Sequence, residues 1–135
     1  MGFLIDTNVV SELRKGKKAS AKVRQWFEST AEPDIFLSVL TLGEIRNGVE
    51  RLRRRDPTSA AVLESWLQQL ATTTADRVLP ITPAIADRWG RLGVPDPLPV
   101  IDSLLAATAL VHGLTLVTRN VGDMQRTGVP VFNPF

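Results

Sequence analysis

The stretch Phe3-Leu4-Ile5-Asp6-Thr7-Asn8 runs three apolar residues directly into a carboxylate. Such a run reads as a short strand buried on both faces, and Asp6 then stands at its carboxyl end. In open parallel sheets, ligands bind along that edge. Similar β-branched runs return at Ile35–Ser38, 78–81, 115–118 and Val131–Phe132. Between the runs lie segments of helical periodicity at 9–14, 20–29, 41–54, 58–71, 83–92 and Val100–His112. This alternation predicts an α/β domain with a mainly parallel central sheet covered on both faces. The helix at Val100–His112 is the best delimited, because Pro99 suits its first turn and Gly113 its left-handed close. Trp26, Trp66 and Trp89 fall on predicted helices, and large aromatics there are expected to pack into the core.

At 135 residues and 44% hydrophobic, the chain suits one domain spanning residues 1–135. The absence of cysteine excludes disulfides, thiolate zinc sites and cysteine nucleophiles. Any metal must be held by oxygen or by His112, and a cationic ring at that helix end would simply complement the dipole. The apolar runs are too short to cross a membrane and the first residues lack a charged leader, so a cytoplasmic location is expected. A net charge of +2 does not by itself argue for nucleic acid. The charge is segregated, however: Lys15, Lys17, Lys18, Lys22 and Arg24 form one basic block, and Arg51, Arg53, Arg54 and Arg55 another. Each block is either a surface open to phosphates or an ordinary solvated face.

Four acids share one trait. Asp6, Glu44 and Asp123 follow predicted strands, and Asp102 opens the most apolar helix, all on what should be one sheet edge. Each has an ordinary reading alone: Asp6 or Thr7 as a helix cap, Thr41 with Glu44 as a capping box, Asn120 as a turn residue and Asp123 as a loop acid. Their coincidence is what points to chemistry. Carboxylates forced together repel one another unless a cation compensates them. All-oxygen ligation favours Mg²⁺ or Mn²⁺, and such ions can polarise a phosphodiester, activate water and neutralise a leaving oxygen. Metal-dependent cleavage of a phosphodiester is therefore expected. No G-x-G-x-x-G or Walker lysine motif supports a nucleotide-binding fold of those kinds.

Four stretches carry a resemblance across nearly the whole chain. They are Leu4-Ile5-Asp6-Thr7-Asn8-Val9-Val10-Ser11-Glu12-Leu13, Ser38-Val39-Leu40-Thr41-Leu42-Gly43-Glu44-Ile45, Ile101-Asp102-Ser103-Leu104-Leu105-Ala106-Ala107-Thr108-Ala109, and Leu116-Val117-Thr118-Arg119-Asn120 with Asp123. In order and interval they resemble the PIN-domain ribonucleases, and within them the VapC-type toxins of bacterial type II toxin–antitoxin pairs, in the FitB-like branch. The resemblance implies an α/β/α sandwich around a parallel sheet, a Mg²⁺ site, endoribonuclease activity, homodimerisation and inhibition by a small antitoxin. It further implies that Asp6, Glu44 and Asp102 are the three central acids and Asp123 a more variable fourth. By the same resemblance Thr7, Thr118 and Asn120 are polar neighbours that orient ligands or water. Met124 stands where this branch often has an aromatic residue, a departure from the pattern beside Asp123.

Two other readings stay within this fold: a PIN ribonuclease of RNA maturation or decay with no dedicated antitoxin, and a catalytically idle module that only binds RNA or protein. Retention of four repelling acids argues against the idle module. A phosphoacceptor receiver would need a lysine after a late strand, where this chain has Arg119 instead.

Overall fold

The computed structural model describes residues 1–135. Its strands are β1 (Phe3–Ile5), β2 (Ile35–Ser38), β3 (Val78–Leu79), β4 (Thr115–Val117) and β5 (Val131–Phe132). Its α-helices are α1 (Thr7–Leu13), α2 (Ala21–Ser29), α3 (Val39–Arg53), α4 (Pro57–Thr73), α5 (Pro83–Leu92), α6 (Val100–His112) and α7 (Val121–Gln125). All strand pairings are parallel, in the order β3-β2-β1-β4-β5. The chain therefore winds outward from β1 to β2 and β3, then crosses to the other side of β1 for β4 and β5. A ligand crevice in such a sheet opens where the winding reverses, between the carboxyl ends of β1 and β4.

Alternation along the strands builds two cores. Leu4 and Leu116 point to one face with Leu105, Ala106 and Ala109 of α6 and Met124 of α7. Ile5 and Val117 point to the other, with Val9 and Val10 of α1, Val23 of α2, Ile45 and Val49 of α3 and Leu67 of α4. The expected α/β/α sandwich is thus formed, with consecutive strand residues serving opposite layers. Trp26 and Trp66 pack against the layer of α1 to α4, Trp26 edge-to-face on Phe3 at 5.5 Å. Trp89 departs from expectation and keeps 37% of its surface exposed. It sits on α5, which packs along α6 rather than on the sheet, and its Nε1 donates to Ser103 Oγ at 2.9 Å.

Helix starts differ from the sequence reading for identifiable reasons. Ser38 Oγ accepts from Leu40 N at 3.0 Å, so α3 begins at Val39 and the Thr41–Glu44 capping box does not form. Asp6 caps α1 two residues earlier than the apolar pattern suggests. The sequence reading also missed α7, which turns Asp123 from a loop acid into a residue of a helix's first turn. At the other end of α6 the prediction holds: Gly113 takes φ +67°, and Leu114 N donates to Ala109 O at 2.8 Å to close the helix.

Candidate active site

Asp6 extends β1 by one backbone bond, its N–H donating to Val117 O at 2.9 Å. Thr118 extends β4 in the same way towards β5, donating to Phe132 O at 3.0 Å. These two continuations set the Asp6 carboxylate beside the Thr118 hydroxyl, which donates to Oδ2 at 2.7 Å. Thr7 N donates to Oδ1 at 2.7 Å and Asn8 Nδ2 to Oδ2 at 3.3 Å. Asp6 is only 5% exposed and has no cationic partner. Burial pushes its pKa above the ordinary carboxylate value, and the charge of Glu44 adds to the push against these hydrogen bonds.

The other three acids are linked to this centre in series. Glu44, exposed on α3, accepts from Thr7 Oγ1 at 2.5 Å, and that hydroxyl lies 3.3 Å from the buried hydroxyl of Thr41. Asp102, in the first turn of α6, accepts from Asn120 Nδ2 at 3.1 Å. Its pKa is raised by burial first, then by the charges of Asp6 and Asp123. Asp123 is exposed in the first turn of α7. Repulsion therefore runs as a chain, Glu44 to Asp6 to Asp102 to Asp123, and no ion pair of the protein relieves it.

No three of these carboxylates close around a single point. The donor set still suits a small hard cation: Mg²⁺ takes one or two carboxylates directly and keeps several waters, through which more distant acids can act. Asp6 and Asp102, whose charges act on each other, would be the direct ligands of such an ion.

The three polar neighbours each bond one of the acids. Thr7 bonds Glu44, Thr118 bonds Asp6 and Asn120 bonds Asp102. The sequence reading missed Asn8 as a site residue. Its amide reaches Asp6 Oδ2 and Thr118 Oγ1, each at 3.3 Å, while its Oδ1 accepts from Arg119 N at 3.3 Å. The signal was an amide two residues after Asp6, with no capping task of its own. His112 lies ten residues further along α6 than Asp102, roughly 15 Å away at the rise of an α-helix, and takes no part. Of the basic blocks, Lys15 is paired with Glu12 and Arg53 with Glu50 and Glu64. Those two cations are already compensated within the protein.

A PIN domain family model matches residues 3–129. Toxin FitB of Neisseria gonorrhoeae is 32% identical, covering 98% of each chain. A VapC ribonuclease of Sinorhizobium fredii is 28% identical over 98% of this chain and 97% of that protein. The crystal structure of FitAcB from Neisseria gonorrhoeae matches with a TM-score of 0.88 at 32% identity, over 98% of this chain and 97% of that one. With its sheet order, its acids at the switch point and these likenesses, the chain belongs to the PIN-domain family, among the FitB and VapC proteins.

Proposed function

We propose that this protein is a Mg²⁺- or Mn²⁺-dependent endoribonuclease, the toxic half of a toxin–antitoxin pair. The observation that carries the reading is Asp6: a buried carboxylate at the switch point, joined by three further acids and by no cation. Such an arrangement stores repulsion that a bound divalent cation would relieve, and the cation would in turn let an anionic phosphodiester approach. When bound, the cation polarises the phosphodiester and lowers the pKa of the attacking water. Asp6 and Asp102 would hold it, with Glu44 and Asp123 adding negative charge to the same site. Thr118 and Asn8 fix the Asp6 carboxylate, and Asn120 fixes that of Asp102. No histidine base is required.

The toxin assignment is supported by the relatives Toxin FitB and a VapC ribonuclease, and by the similar solved structures of FitAB bound to a DNA fragment and of a toxin-antitoxin complex from Klebsiella pneumoniae. By this reading a neighbouring gene encodes the antitoxin, which inserts a basic side chain, usually arginine, among the four carboxylates. A homodimer acting in the cytoplasm belongs to the same reading.

The test is cleavage of RNA by the purified chain with Mg²⁺, with Mn²⁺ and with EDTA. Asp102→Asn preserves shape and the Asn120 contact but removes a ligating charge, so it should fold and lose most activity. Full activity in EDTA, or robust cleavage by the variant, would overturn the metal mechanism. Toxicity on expression alone, relieved by the neighbouring gene, tests the toxin assignment separately.

A further inference from the structure

Arg119 lies between Thr118 and Asn120, the partners of Asp6 and Asp102, and its own N–H is held by Asn8. Its guanidinium carbon stands 3.8 Å from the centroid of the Phe135 ring. The ring is itself anchored: Phe135 packs against the core layer of α1 to α4, and its N–H donates to Asn133 Oδ1 at 3.0 Å. Although exposed, the Arg119 guanidinium donates to no protein acceptor and enters no ion pair. Arg14, Arg51, Arg54, Arg55 and Arg88 are likewise unpaired, but only Arg119 stacks on an aromatic ring, whereas Arg77 bonds Glu32 and three backbone carbonyls and Arg126 reaches Asp96 O. Glu12 feels the Arg119 charge, but its direct partner is Lys15 at 3.0 Å.

Stacking thus orients a planar cation while leaving its donor edge free, which is the arrangement that suits a phosphate. The Arg119 charge is felt by Glu12 on α1 rather than by Asp102, so the guanidinium stands to the side of the carboxylates, where a neighbouring phosphate of a strand crossing them would lie. We propose that Arg119, held on Phe135, grips an RNA phosphate beside the one being cleaved, as a binding residue of the site. The inference rests on the ribonuclease reading, and its tests are separable from it.

The experiment is steady-state cleavage of a short single-stranded RNA reporter with Mg²⁺ over a salt series, alongside thermal melts. Arg119→Ala should raise KM roughly tenfold, the scale of one charge-assisted hydrogen-bonded contact, and lower kcat less. Its plot of log(kcat/KM) against log salt should be shallower by about 0.7, the loss of one phosphate contact on a single strand. Arg119→Lys should keep the wild-type slope and only part of the affinity, because an ammonium lacks the fork. Phe135→Leu should raise KM with the slope retained, since it frees the guanidinium without removing its charge. Wild-type KM and slope in Arg119→Ala would overturn the proposal, as would a melting loss with both unchanged, which would make the contact structural only. If Arg119→Ala does not fold, wild-type KM in both Arg119→Lys and Phe135→Leu overturns it equally. Metal-dependent cleavage by the wild type with no effect of these variants defeats the Arg119 proposal alone, whereas no cleavage by the wild type defeats both.

Discussion

Asp6 and Asp102 hold their protons more tightly in the folded chain than the ordinary value of 3.8 allows. Their contribution to stability is therefore fully present below that value and is lost as pH rises through the raised folded values. At neutral pH the metal-free protein carries the repulsion. Asp102→Asn should accordingly melt a few degrees above wild type in EDTA at pH 7, with the gap narrowing in acid. Added Mg²⁺ or Mn²⁺ should stabilise the wild type by about 2.7 kcal/mol at roughly one hundred times its dissociation constant, and the variant much less. Equal melting with and without metal in both proteins would mean that the four acids are separate caps. At this scale the acids were legible in the sequence because Asp6 follows a strand, Asp102 and Asp123 lie in the first turns of helices, and Glu44 comes soon after β2. Asn8 was not, since its role depends on Thr118 and Arg119, more than a hundred positions away in the chain.

Helix starts decide where those side chains point. Ser38 caps α3, and the helix then presents Glu44 in its second turn, towards Thr7. Ser38→Ala should cost about 1 kcal/mol, the usual worth of such a cap, with Ser38→Thr recovering most of it in urea unfolding. An unchanged midpoint in Ser38→Ala would show that packing alone fixes the start of α3. The same element explains what the sequence hid. Thr41 and Glu44 matched a capping pattern, but a true cap three residues earlier occupied that task and left Glu44 available to the site. The missed α7 is short, at five residues, and its sequence contains a glycine. Periodicity has too few turns there to be read. Beyond the active-site edge, α3 and α4 are tied by Arg46, Arg53, Glu50 and Glu64. Most of the first of these helices' charge is spent on that tie.

Across the whole molecule, the parallel sheet and its two layers followed from consecutive apolar residues, as in Leu4 with Ile5 and Leu116 with Val117. What the linear pattern could not supply was strand order, because neighbours in the sheet are set by crossovers rather than by nearness in the chain. Phe3 pairs with Ile35 on one side and Thr115 on the other, so the central strand is completed by a segment made late. Non-local pairing of this kind is slow to form. It also acts as a clock during synthesis. A ribosome that has produced Asp6, Glu44 and Asp102 has not yet made Thr118 or Asn120, and the hydroxyl that anchors Asp6 is separated from it by 112 positions. A chain released after residue 112 should bind neither Mn²⁺ nor RNA and should expose β1 as an edge to aggregation, which sedimentation of the truncated product would reveal. On the proposed ribonuclease reading, a nascent chain stays harmless to RNA until Thr118 and Asn120 have been translated.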